Sequence, residues 1–123
     1  MANTEIALKE AMMIEGALGV ALVDVTSGMA LGTMGGSGEL DLAVAAAGNT
    51  DLVRAKLRVM EMLGLSGGIE DILTTLTTQY HLVRPLTGHS GAGLFLYLVL
   101  DRKRANLAMA RRQLQQVETG LDV

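Results

Sequence analysis

The sequence predicts one α/β domain of the α+β kind, with elements in the order α-β-β-α-β-β-β-α. Three observations carry that reading. Short apolar runs rich in Val and Leu are separated by Gly-containing turns; one stretch of about six turns has helical periodicity; and a closing apolar run leads into a second helical repeat. At 123 residues, half of them apolar, the chain is long enough for one domain with one core and too short for two. Only Phe95, Tyr80 and Tyr97 are aromatic, against eight Met, so the core must be aliphatic and closely approached.

Asn3 and Thr4 can cap a short helix over Glu5 to Met13, with Leu8, Ala11 and Met12 on its inner side and Gly16 ending it. Ala17 to Val25, "ALGVALVDV", reads as a strand buried on both faces. The turn "DVTSG" then leads to a second strand near Met29 to Met34. From Asp41 to Leu63 the pattern is helical. Asp51, Arg54, Arg58 and Glu61 gather on one side and leave an apolar arc wider than the roughly 100° stripe of an ordinary surface helix. The arc resolves into two seams, Leu42, Ala46, Asn49, Val53 and Met60 on one, and Val44, Gly48, Leu52, Ala55, Val59 and Met62 on the other. Two seams imply two partners, and one sheet supplies one of them. The same helix of a second copy is the economical other partner, since Gly48 and Ala55 let two backbones approach closely. The alternative is that the short N-terminal helix covers this seam within one chain.

Ile69 to Leu76, "IEDILTTL", alternates as a half-exposed strand whose Thr residues suit a sheet edge, and Tyr80 to Arg84 follows as a fourth strand closed by Pro85. Gly93 to Leu100, "GLFLYLVL", is continuously apolar and therefore central. Asp101 is placed to cap a last helix, in which Leu107, Ala110, Leu114, Val117 and Leu121 repeat at three and four.

Composition excludes several functions. With no Cys there are no disulfides, thiolate metal sites or Cys nucleophiles, and a cytoplasmic location is the default. The N-terminal region lacks the order of a secretory signal, and no charge-free stretch reaches the roughly 20 apolar residues of a membrane helix, so direct membrane insertion is not expected. A net charge of −3 with few stacking side chains argues against nucleic acid. Arg102, Lys103, Arg104, Arg111 and Arg112 form a local basic cluster, read as a solvated helix face or a docking patch for an acidic partner.

No motif for chemistry survives inspection. "MGGSGELD", Met34 to Asp41, has a phosphate-cradle look, but no Lys lies between Lys9 and Lys56, Asp41 stands where a third glycine is needed, and Glu39 and Asp41 would repel a pyrophosphate. The glycines instead allow positive φ where a strand gives way to the long helix. "GHSGAG" does not match G-x-S-x-G and joins two strands, so His89 and Ser90 read as a turn. His81 has no second His at ligand spacing, Glu70 and Asp71 point to opposite strand faces, and Asp24 reads as a turn residue. No cofactor, metal or catalytic residue is expected, and the chain reads as a binding protein.

The element order, together with "GALGVALVDVTSGMALGTMGG", "LDLAVAAAGNTDLVRAKL", "IEDILTTLTTQYHLVRPL" and "GLFLYLVLDRKRANLAMARRQL", resembles the bacterial branch of the roadblock family of dynein-associated light chains. The match spans nearly the whole chain, and its most specific part is the G-x-x-G-x-x-L-V-D-x-x-[ST]-G hairpin from Gly16 to Gly28. The resemblance implies a profilin-like sandwich: a five-stranded antiparallel sheet with the long helix on one face and the terminal helices on the other. It also implies a homodimer, or a higher assembly, in which the long helices pack together and the third strands pair edge to edge through Ile69, Asp71, Leu73 and Thr75. Functionally it implies a regulator or scaffold of a Ras-like small GTPase, with some bacterial members acting as GTPase-activating partners. Other readings are a structural adaptor in a sensor-kinase or motility assembly, and a small-ligand sensor. No arginine finger carries over; Arg54, Arg58 and Arg84 are candidate partner contacts that no motif singles out.

Overall fold

The computed structural model describes residues 3–87 and 93–121. Its elements are α1 (Thr4–Met12), β1 (Ala17–Asp24), β2 (Ala30–Gly35), α2 (Leu42–Met62), β3 (Ile72–Thr75), β4 (Gln79–Pro85), β5 (Leu94–Asp101) and α3 (Leu107–Gly120). The strands form one antiparallel sheet ordered β2-β1-β5-β4-β3. This is the expected sandwich.

Strand β5 is central, and apolar from Leu94 to Leu100 because both its faces are covered. Phe95, Tyr97 and Val99 join Ala21, Val23, Leu42, Ala46, Val53 and Val83 in the core beneath α2. Leu96, Leu98 and Leu100 join Val20, Leu22 and Leu82 in the core beneath α1 and α3, where Leu8, Ala11, Leu114 and Val117 seal it. One sheet therefore separates two apolar cores, and the one beneath α2 holds Phe95 and Tyr97.

Capping explains where the helices begin. Asn3 Oδ1 accepts from Ile6 N at 3.0 Å and starts α1. Asp41 Oδ1 accepts from Ala43 N at 3.0 Å and Val44 N at 3.2 Å and starts α2. Helix α3 differs from expectation. Its cap is Asn106, whose Oδ1 accepts from Met109 N at 3.1 Å, whereas Asp101 is the last residue of β5 and accepts from Lys103 N at 3.1 Å. The turn after β5, closed by Ala105 N donating to Asp101 O at 2.9 Å, separates the strand from the helix.

Strand β3 is also shorter than the expected Ile69 to Leu76. It pairs only Ile72 to Thr75, in register with Val83 to Tyr80. Extending that register would set Glu70 opposite Pro85, which has no N–H to donate. Asp71 meanwhile turns to Arg111 of α3 instead of following the ladder. The "GHSGAG" loop lies largely outside the described residues, His89 and Ser90 included.

Candidate interaction surface

Helix α2 uses one side for the sheet. Leu42, Ala46, Thr50 and Val53 are buried, and Thr50 Oγ1 satisfies itself on Ala46 O at 2.7 Å. Thr50 takes the place expected of Asn49, which is half-buried and donates to Ala45 O. Beyond Val53 no residue of α2 is buried. Arg54 Nη2 donates to Val25 O and Thr26 O, so the helix has reached the β1–β2 turn at that point. Its last two turns, about 12 Å, extend past it.

The second seam is uncovered among the described residues. Val44 is 68% and Met62 72% exposed, and Leu52 and Val59 are exposed as well. A Cβ added at Gly48 would meet nothing within 4 Å, and Ala55 is half-exposed. Helix α1, the alternative cover, packs with α3 against the opposite core. Leu57, Leu63 and Leu65 enlarge the apolar surface at the free end of the helix. The signal for Leu63 and Leu65 in the sequence is the apolar run Met62 to Leu65 across Gly64.

One edge of the sheet is open as well. Strand β3 is outermost and pairs on one side only, and Leu73, Thr74 and Thr75 are exposed. Leu73 lies opposite Leu82, on the α1 and α3 side, and Thr74 lies opposite His81, on the α2 side. Two expected edge residues fall elsewhere. Ile69 is half-buried ahead of the strand, and Asp71 accepts from Arg111 Nε at 2.8 Å and Nη2 at 3.0 Å, an ion pair that raises the Arg111 pKa first through the hydrogen bond and then through the charge.

The three arginines separate. Arg58 is exposed, with no side-chain hydrogen bond or ion pair to another described residue. Arg54 is exposed but fastens α2 to the β1–β2 turn. Arg84 is 8% exposed and its Nε lies 2.5 Å from Glu118 Oε1, while Glu118 Oε2 accepts from Thr87 N at 3.1 Å. Its charge is thus committed within the chain, joining β4 to α3.

The glycine run is a turn. Gly35 and Gly36 have φ of +73° and +84°, and Ser37 and Leu40 exchange backbone hydrogen bonds just before the Asp41 cap. A cleft of about 310 Å³ opens there, lined by Thr33, Gly35, Ser37, Leu40 and Asp41 among others. The helix N–H groups that would hold a phosphate already bond the Asp41 carboxylate, so the cleft is not an anion cradle.

Under α2, His81 bridges Tyr97 Oη at 3.0 Å and Gln79 Oε1 at 2.8 Å, its ring edge-on to Tyr97 at 5.5 Å between centroids. Burial lowers the His81 pKa and raises that of Tyr97, the latter opposed by a hydrogen bond from Asn49. The cluster joins β4, β5 and α2 by structural hydrogen bonds. Among the described residues no group of three or more His, Asp or Glu side chains gathers as a metal would require, and no helix is long and apolar enough to cross a membrane.

No protein-family model and no curated protein sequence matches the chain. Its structure, however, is similar to solved ones. A Roadblock/LC7 domain from Streptomyces avermitilis superposes with a TM-score of 0.79 at 13% identity, over 96% of this chain and 93% of that one. MglB of Myxococcus xanthus gives 0.73 at 17% identity, over 92% and 77%. The gliding protein MglB of Thermus thermophilus gives 0.66 at 19%, over 92% and 86%. The chain has the roadblock fold.

Proposed function

We propose that this roadblock-fold chain is a non-catalytic homodimer that regulates or scaffolds a Ras-like small GTPase. The single observation that carries the reading is the apolar second seam of α2, which no other described residue covers; the open edge of β3 offers a second contact. A two-fold contact that used both would bury Val44, Leu52, Val59 and Met62 against their copies and let Leu73 and Thr75 continue the sheet into the partner. An isologous contact of this kind serves both elements at once. The GTPase part rests on the roadblock resemblance of the sequence and on the likeness to bacterial gliding proteins. Arg58, exposed on the polar side of α2, is the arginine best placed to meet a partner; Arg54 is exposed but already committed.

The experiment is single-turnover GTP hydrolysis by a small GTPase encoded beside this chain, with and without the protein, paired with light scattering for its mass. Altered hydrolysis or nucleotide exchange, with a dimeric mass, supports the reading. A dimer that binds the GTPase without changing its rates narrows the function to scaffolding. A dimer that recovers only a sensor kinase or other non-GTPase partner points to the adaptor reading, and a monomeric mass refutes the assembly.

A further inference from the structure

One charged surface borders the proposed dimer contact and shares Leu73 with it. Residues 101–112 contain five of the chain's ten basic residues and one of its thirteen acidic ones, so this segment is net +4 and the remainder net −7. Tertiary structure lays the positive charge along β3. Arg102 is fixed at the β3–β4 turn: its Nη1 donates to Leu76 O at 2.8 Å, its backbone N to Thr78 O at 3.1 Å, and its guanidinium lies 5.1 Å from the Tyr80 ring centroid. Just before the start of the strand, Arg111 holds Asp71, and Arg112 beside it lines a surface cleft of about 310 Å³ with Glu70, Ala108 and Gln115. Between these ends lie Leu73 and Leu76, 37% and 41% exposed. Leu73 and Thr75 share the face of Leu82 and Tyr80, the face that carries α3.

The strip therefore runs basic, apolar, basic over about 13 Å of strand. Lys103, Arg104 and Arg112 are exposed, with no side-chain hydrogen bond or ion pair to another described residue. We propose that this strip is a docking surface for an acidic segment of a partner protein, one with apolar side chains between its carboxylates. Charge complementarity selects it: the strip's five cations outnumber Asp101, Asp71 and Glu70, and this local excess of +2 on an otherwise negative chain attracts a short acidic stretch while the rest of the chain repels a long polyanion. Nucleic acid lacks a platform here, because Arg102 already covers Tyr80. The apolar centre suits leucine-like side chains, which nucleic acid cannot supply. The proposal rests on the homodimer only for its extent, since pairing of β3 edges would set two strips side by side.

The test is a fluorescein-labelled synthetic peptide of Glu-Glu-Leu repeats titrated with the full chain and followed by anisotropy. Expected are saturable binding, a loss of about tenfold or more in affinity for the Arg104→Glu, Arg112→Glu double variant, and a similar loss on raising salt from about 50 to 300 mM. Both changes are at exposed side chains, and an unaltered circular dichroism spectrum and melt show that the fold is kept. No peptide binding, binding indifferent to the double variant, or tighter binding to vesicles of phosphatidylserine and phosphatidylcholine than to the peptide would overturn the proposal. Light scattering of the same samples separates the two readings: a monomer that binds the peptide refutes the homodimer and keeps the strip, and a dimer that ignores it refutes the strip alone.

Discussion

Replacing Glu118 by Gln tests whether Arg84 is structural. The two side chains are 13% and 10% exposed, so a guanidinium that loses its carboxylate regains little water. Removing one partner of a fully buried pair costs about 3–5 kcal/mol; the residual exposure and the one hydrogen bond an amide can still accept bring the expectation to about 2–3 kcal/mol. At about 3–5 °C per kcal/mol for a domain of this size, the melting temperature should fall by about 6–15 °C. Thr87 N loses its charged acceptor in the same variant, so the start of the β4–β5 connection should lose amide-exchange protection. The assay is urea unfolding by circular dichroism for Arg84→Met, Glu118→Gln and the double variant, at one protein concentration because self-association is linked to stability. The double variant should cost less than the sum of the singles by about 1–3 kcal/mol. Additive single effects below about 0.5 kcal/mol would refute a buried pair. Lost GTPase binding with unaltered unfolding would restore Arg84 as a partner contact.

Four further outcomes are expected. Gly48→Leu should leave the folded protomer as stable or up to about 1 kcal/mol more stable, since the site is open and Gly weakens a helix, yet halve the mass in light scattering; an unchanged dimer places the interface elsewhere. Gly35→Ala should cost about 1–3 kcal/mol in urea, because φ is positive and the new Cβ would lie 2.7 Å from Leu18 O, whereas Gly38→Ala, in open space, should be neutral; equal effects would contradict this account of the turn. Asp41→Ala should remove the α2 cap and about 1 kcal/mol of stability, whereas Asp101→Ala should cost less; the reverse order in denaturant midpoints would restore Asp101 as the important cap. Burial depresses the folded His81 pKa below its unfolded value, so the unfolded chain binds more protons as pH falls. The stability due to neutral His81 is complete above about pH 6.5 and is lost on acidification towards the lower folded value; His81→Gln should flatten the pH dependence of the melting temperature between about pH 7 and 5, and an unchanged slope would refute the assignment.

Much of this architecture is written locally. Periodicity and length settled that Leu42–Met62 is a helix, continuous apolarity made Leu94–Asp101 the central strand, and side-chain capping chemistry marked Asn3. These are short-range properties, and neighbouring residues suffice to express them. The two-seamed face of α2 was legible for the same reason, as was the mismatch of the glycine run with a phosphate loop.

Contacts between residues far apart in the chain were decided by tertiary structure. Arg84 read as one of three candidate partner contacts, and only the fold brings Glu118, 34 residues on, within 2.5 Å of it. Asp71 read as a strand residue until Arg111, 40 residues on, drew it off the ladder and Pro85 came to stand where Glu70 would pair. Asn106 took the cap from Asp101 because the turn after β5 runs longer than the strand-to-helix pattern suggests. A sequence displays which groups are charged, polar or apolar, and at what spacing. Whether a charge is spent on a partner inside the chain or left for one outside depends on which distant residues the sheet order brings beside it, and that is fixed only when the whole core packs.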